Sequence, residues 1–259
     1  MGCTVWAISP APSVLPADVR EAGISENIGG QIPLDATFTD SSGSKISMTE
    51  LFSDGRPVVL VMAYYNCPML CNLVLTGVAD AVKSTPGNLG ERYRIVTVSI
   101  DPSDTPESAR KFSSRYVGAV GNKVKENGWR FLVGSESEVK RVGDAVGFGY
   151  KYLPKTKEFA HGAAIMILTP EGKVSRYLYG IEYKPKDFKL AILEASNRRL
   201  VSTTDKVVMF CYAYDPNARG YALVAMNIMK LGGIVTVIVL GLAIVWLNFT
   251  TKNRRKNHG

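Results

Sequence analysis

Apolar residues fall in short blocks over the first 200 residues of the chain and in one long block near its end. Residues 58–65, VVLVMAYY, form a continuous apolar run with the length and β-branched content of a central strand. Residues 71–83 then switch to a helical period through Val74, Val78 and Val82. RIVTVSI at 94–100 reads as a second strand that ends at Asp101-Pro102. Thr105 is an N-cap with Pro106 in the first helical position, for a helix to about Tyr116. WRFLV at 129–133 is a third strand, and Ser135 opens a helix towards Val146 with Glu136 and Glu138 in its first turn. Residues 163–168 and 173–179 flank Thr169-Pro170-Glu171-Gly172 as a hairpin, and a last helix runs over about 185–198. Upstream, the polar stretch 20–50 holds a short extended lead-in at 32–38 and a hairpin at SSGSK. This order predicts an α/β domain in which helices flank a mixed sheet.

The long block is LGGIVTVIVLGLAIVWLNF at 231–249, nineteen residues without a charge. At about 1.5 Å per residue a helix of this length reaches roughly 28 Å, close to the hydrocarbon thickness of a bilayer, so a C-terminal transmembrane helix is expected. The tail at 250–259 is basic, which places it in the cytoplasm and the preceding domain on the periplasmic or outer side. The same tail changes the reading of the formal charge of +8: Lys252, Arg254, Arg255 and Lys256 supply four of the eight, leaving +4 for the rest. No basic stripe interleaved with aromatics remains, which excludes nucleic acid as the expected partner. Residues 1–27 read as a leader or disordered segment, with Cys3 incidental to it, and 201–230 as an aromatic connecting segment containing Cys211.

Candidate chemistry begins where the first strand ends. Cys67-Pro68-Met69-Leu70-Cys71 places two thiols four residues apart at a strand-to-helix turn, on one helical face and within reach of one metal ion or of each other. Such a turn is also where a thioredoxin-like fold keeps its chemistry. A structural disulfide framework fits poorly, because Cys3 and Cys211 stand alone at opposite ends. Of the two histidines, His258 is in the charged tail, whereas His161 precedes the 163–168 strand in a loop that can approach the cysteine turn. Two thiolates and one imidazole suit a copper ion, with Zn(II) the competitor, and three ligands without a fourth favour an ion that can be passed on. Met62 and Met69 read as packing residues.

YYNCPMLCN at 64–72, VSIDPSDTPESARKF at 98–112 and AHGAAIMILTPEGKVSRYLYG at 160–180 resemble, in order and separation, the Sco/SenC family of copper-binding, thioredoxin-like proteins that help assemble cytochrome oxidase. The resemblance covers the domain at 28–200. It implies Cys67, Cys71 and His161 as copper ligands and Asp101 as a group behind them that orients or tunes the site. It also implies a partner, the copper-bearing subunit of the oxidase or a similar dithiolate acceptor. Two positions depart from the family's pattern: Asn72 follows the second cysteine where a proline is usual, and Asn66 precedes the first where a Thr is frequent. The anchor follows the domain, whereas better-known members have theirs before it. The alternative function is a thiol-disulfide oxidoreductase in which Cys67 and Cys71 cycle to keep acceptor cysteines reduced. A peroxidase would need an arginine-supported cysteine, and nothing in the sequence selects one.

Overall fold

A computed structural model of the chain describes residues 22–85, 89–125, 127–196, 212–215, 220–223, 233–244 and 246. The chain divides into two units, Met1–Asn197 and Arg198–Gly259. The first unit opens with the hairpin β1 (Thr37–Asp40) and β2 (Lys45–Ser47), then the short helix α1 (Met48–Phe52). Ser47 and Glu50 close a reciprocal capping box at the start of α1. Strand β3 (Val58–Ala63) is buried at every position, as its unbroken apolar run requires of a strand covered on both faces. Helix α2 (Leu70–Ser84), strand β4 (Arg94–Ser99), helix α3 (Pro106–Val120), strand β5 (Trp129–Val133) and helix α4 (Glu136–Ala145) follow. A hairpin of β6 (Tyr150–Leu153) and β7 (Glu158–His161) precedes β8 (Ala164–Leu168), β9 (Val174–Tyr179) and helix α5 (Pro185–Ala195).

Seven strands join in the order β2-β1-β5-β4-β3-β8-β9. β3, β4 and β5 run parallel, while β1, β8 and β9 pair antiparallel with their neighbours. Helix α3 packs over β5 and β1, α5 over β8 and β9, and α2 contacts both α3 and α5. Gly77 permits the close approach on the α5 side: a Cβ there would stand 1.9 Å from the Ile181 carbonyl oxygen. The mixed sheet flanked by helices is thioredoxin-like, as expected. Thr105 and Ser135 accept hydrogen bonds from Ser108 N and Glu138 N, the capping roles the sequence assigns them. Three boundaries differ from expectation. β3 stops at Ala63, because the chain turns out of the sheet at Tyr64 and Tyr65; α2 starts at Leu70; and α3 continues to Val120.

In the second unit, β10 (Tyr212–Asp215) and β11 (Gly220–Leu223) form an antiparallel hairpin inside the stretch expected to be a plain connector. Residues 233–244 and 246 are helical, with their apolar side chains exposed. No helix among the described residues is long and apolar enough to cross a membrane. The described helical run covers only part of the expected 231–249 segment. Residues 1–21 of the expected leader, with Cys3, and Cys211, His258 and the basic tail lie outside the described residues. Residues 22–27, expected to belong to that leader, are instead bonded to the domain, the Ser25 N–H donating to the Gly147 carbonyl at 2.8 Å and the Asn27 N–H to the Tyr177 hydroxyl at 2.9 Å.

Candidate metal centre

Where β3 ends, backbone hydrogen-bond donors must find partners outside the sheet. The Tyr65 N–H donates to Asp104 Oδ2 at 2.8 Å, and the Tyr65 hydroxyl reaches back into the core to the Leu132 carbonyl at 2.7 Å. Asp104 is buried, and it also accepts from Ser99 Oγ at 2.5 Å, Ser108 Oγ at 3.1 Å and Asn66 Nδ2 at 3.3 Å. One carboxylate thus fastens the cysteine loop to the end of β4 and the start of α3.

Helix α2 then begins at a position without a capping side chain, its N-cap being Met69. The Cys67 sulfur takes that role by accepting the Cys71 N–H at 3.3 Å. Both thiols are free and buried, Cys67 at 7% exposure and Cys71 at 0%. Asn72 ties the turn together from behind: its Nδ2 donates to the Cys67 carbonyl at 2.9 Å, and its Oδ1 accepts from the Tyr116 hydroxyl at 2.8 Å and Arg115 Nη1 at 3.3 Å.

His161 comes from the end of β7, paired in register with Tyr150. Its ring lies edge-on to Tyr64 at 6.2 Å and tilted against Phe148 at 5.7 Å, while Tyr64 also packs on Phe159 at 5.3 Å. These aromatic contacts seat the β6–β7 hairpin against the end of β3. Nδ1 of His161 is 2.9 Å from the Gly162 carbonyl oxygen, which can only accept, so Nδ1 holds the proton and donates. That leaves the Nε2 lone pair facing Cys71 Sγ at 3.3 Å.

The two sulfurs are electrostatically unequal. The hydrogen bond from Cys71 holds the Cys67 thiol far below the ordinary value; burial opposes it, and the N–H groups of Cys71 and Met69 add to the lowering. Its role as donor to Cys67, followed by burial, pushes Cys71 well up. The thiolate is therefore favoured on Cys67, the less buried of the two, and the proton on Cys71. Burial, and then hydrogen bonding with Cys67, raises the Tyr64 phenol.

Of the expected site residues, the fold brings Cys71 and His161 into contact and sets Cys67 beside them. Among the described residues no group of three His, Cys, Asp or Glu side chains converges tightly enough to form a ready metal cage. Asp101 is elsewhere: its carboxylate accepts from the N–H and hydroxyl of exposed Ser103, at 2.8 and 2.6 Å. The carboxylate bonded to the cysteine loop is that of Asp104. Met62 is buried in β3 as expected, but Met69 is 67% exposed and does not pack. Tyr64, Asn72 and Asp104 bear on the site although they are outside the expected ligand set. Only Asn72 had a signal, as the position where proline is usual.

Residues 30–195 match the family model described as SCO1/SenC. The chain belongs to the SCO1/SenC family. Among curated proteins, a candidate copper-binding protein of Stutzerimonas stutzeri is 22% identical over 129 residues, 48% of this chain. The chain spans 58% of the length of that relative. A candidate electron transfer protein from Aquifex aeolicus has a similar solved structure, with TM-score 0.58 and 25% identity over 65% of this chain and 94% of the other. BsSco, a member of the Sco family of cytochrome c oxidase assembly proteins in which a disulfide switch is described, gives TM-score 0.51 and 23% identity over 67% and 98%. At that identity the likeness to BsSco is one of fold. The family match spans the part of the chain that holds Cys67, Cys71 and His161.

Proposed function

We propose that this SCO1/SenC protein is a membrane-tethered copper carrier that takes up one copper ion through Cys67, Cys71 and His161. It then delivers the ion to a dithiolate site on the copper-bearing subunit of cytochrome c oxidase during assembly. The observation that carries this reading is the Nε2 lone pair of His161 facing Cys71 Sγ at 3.3 Å, with Nδ1 committed to a carbonyl. An imidazole fixed in that tautomer beside a thiol, with a second thiolate one helical turn away, is a soft donor set matched to copper. Family membership and the naming of BsSco as an oxidase assembly protein support the destination.

The chain's own residues divide the work. Asp104 and Asn72 hold the loop, the α2 amides stabilise the Cys67 thiolate, and the Gly162 carbonyl orients the imidazole. The uncharged segment 231–249 and the basic tail support a single-pass anchor with the domain on the periplasmic side and the C-terminus in the cytoplasm. Such a tether raises the effective concentration of the carrier at a membrane-bound acceptor.

The experiment is copper stoichiometry and the absorption spectrum of the full chain beside its His161→Ala variant. One copper per chain, with thiolate-to-copper charge transfer lost or shifted in the variant, is the expected result. The asymmetry of the thiols also favours a second reading, a reductase that converts an acceptor disulfide to dithiol while Cys67 and Cys71 become a disulfide. Equal copper binding by parent and variant, with Cys67 and Cys71 cycling readily against a dithiol reductant, would replace the carrier by the reductase.

A further inference from the structure

A cavity of about 250 Å³ opens beside Cys67, lined by Tyr65, Asn66, Cys67, Asn72, Lys111 and Arg115. Lys111 and Arg115 stand one turn apart on the exposed side of α3, and neither has an acidic partner among the described residues. Arg115 is drawn towards the cysteine turn by its hydrogen bond to Asn72 Oδ1. The carboxylate of Asp104 behind the loop forms no ion pair with either cation among the described residues; its four hydrogen-bond donors are the Tyr65 N–H, Asn66, Ser99 and Ser108. Close to Cys67 in sequence, Met69 and Leu73 on the first turns of α2 are exposed at 67% and 42%. The less buried of the two cysteines thus opens on a groove that carries paired cations, with exposed apolar side chains close to it in sequence.

We propose that this groove is the docking site of the dithiol protein that exchanges copper with this chain, and that the partner presents a carboxylate-bearing segment next to its thiols. The proposal rests on the carrier reading and names its partner's chemistry. Cys71 is fully buried, so a partner's thiol must approach from the Cys67 side. A partner that brings thiolates and carboxylates up to Cys67 brings negative charge, and the cations placed at the groove offset it. Charge complementarity of this kind acts mainly on encounter rate and on partner choice. Met69 and Leu73 supply the apolar contact that a purely ionic encounter lacks.

The test uses the metal-free full chain and two fluorescently labelled synthetic peptides that differ only in charge. In each, serine replaces the thiol residues, and these are flanked by Asp in one peptide and by Lys in the other. Fluorescence anisotropy should show tighter binding of the Asp peptide, weakened about tenfold by high salt and about tenfold by combined Lys111→Glu and Arg115→Glu. Combined Lys111→Gln and Arg115→Gln, which adds no like charge, should give an intermediate loss. Equal affinity for both peptides, or a parent insensitive to salt, would overturn the proposal even if the variants fail to fold. Copper stoichiometry is measured in parallel. Copper uptake without peptide discrimination overturns the groove alone, whereas discrimination without uptake overturns the carrier and leaves the groove as an acidic-peptide site.

Discussion

Replacing Asp104 by alanine removes a buried carboxylate and its four hydrogen bonds at once. The Tyr65 N–H and the Ser99 hydroxyl lie in buried surroundings and lose a charged acceptor, each such bond being worth about 1.5–3 kcal/mol. Asn66 is exposed and Ser108 half-buried, so both can turn to water and add little. The expected cost of Asp104→Ala is therefore about 3–6 kcal/mol, at the severe end for a single substitution. Asp104→Asn keeps an oxygen for Tyr65 and Ser99 and can donate to Ser108 Oγ, so its cost should be about 1–2 kcal/mol. Asp101→Ala is the control: its carboxylate binds only exposed Ser103 among the described residues, and about 1 kcal/mol or less should be lost. Urea denaturation of the three variants, followed by intrinsic fluorescence at constant slope, measures the differences. If Asp104→Ala costs less than about 1 kcal/mol, or no more than Asp101→Ala, the argument that Asp104 fastens the cysteine loop is wrong.

Gly77→Ala should destabilise by about 1–3 kcal/mol, since its Cβ would stand 1.9 Å from backbone oxygen, which cannot swing aside; an unchanged urea midpoint would refute the close approach. Asn72→Ala gives up bonds to the Cys67 carbonyl, Tyr116 and Arg115 and should cost about 1–2 kcal/mol, with faster alkylation of Cys67 than in the parent. Copper affinity should fall as pH drops. With the Cys67 thiol lowered and the Cys71 thiol raised, one proton competes with the metal, so log K rises by about one per pH unit between roughly pH 6 and 8. A slope near two in a competition titration would mean that both thiols are protonated, against the asymmetry described.

The parallel core was readable because buried strands announce themselves as unbroken apolar runs and because Thr105 and Ser135 are strong start signals. The β6–β7 hairpin was not: its residues are half-buried, and its turn includes a lysine, Lys157, at φ 58 rather than a glycine. Its absence from the sequence-based element list matters, because this hairpin delivers His161, which the sequence could place only in a loop free to approach the thiols. α1 had a visible Ser47/Glu50 capping pair but is only five residues long, too short for a period to emerge. Asp101 and Asp104 are three residues apart, and sequence alone does not tell which one turns inward. The outcome depends on Asp101 closing a local turn with Ser103, which frees Asp104 to face β3. The departure at Asn72 was legible as a change, but its three partners come from α3 and the cysteine loop, which only the fold brings together.

The sulfur of Cys67 is also the cap of α2, so reactivity and local folding share one atom. Anything that withdraws its charge, whether a metal, an alkylating reagent or a bond to another sulfur, weakens the acceptor for the Cys71 N–H and loosens the opening turn. Amide hydrogen exchange at 69–71 would then act as a gauge of what Cys67 is doing, faster when the thiolate is engaged and slower when it is free. A protein docked in contact with Met69 would meet a stiffer edge on the metal-free protein and a softer one on the copper-bound protein.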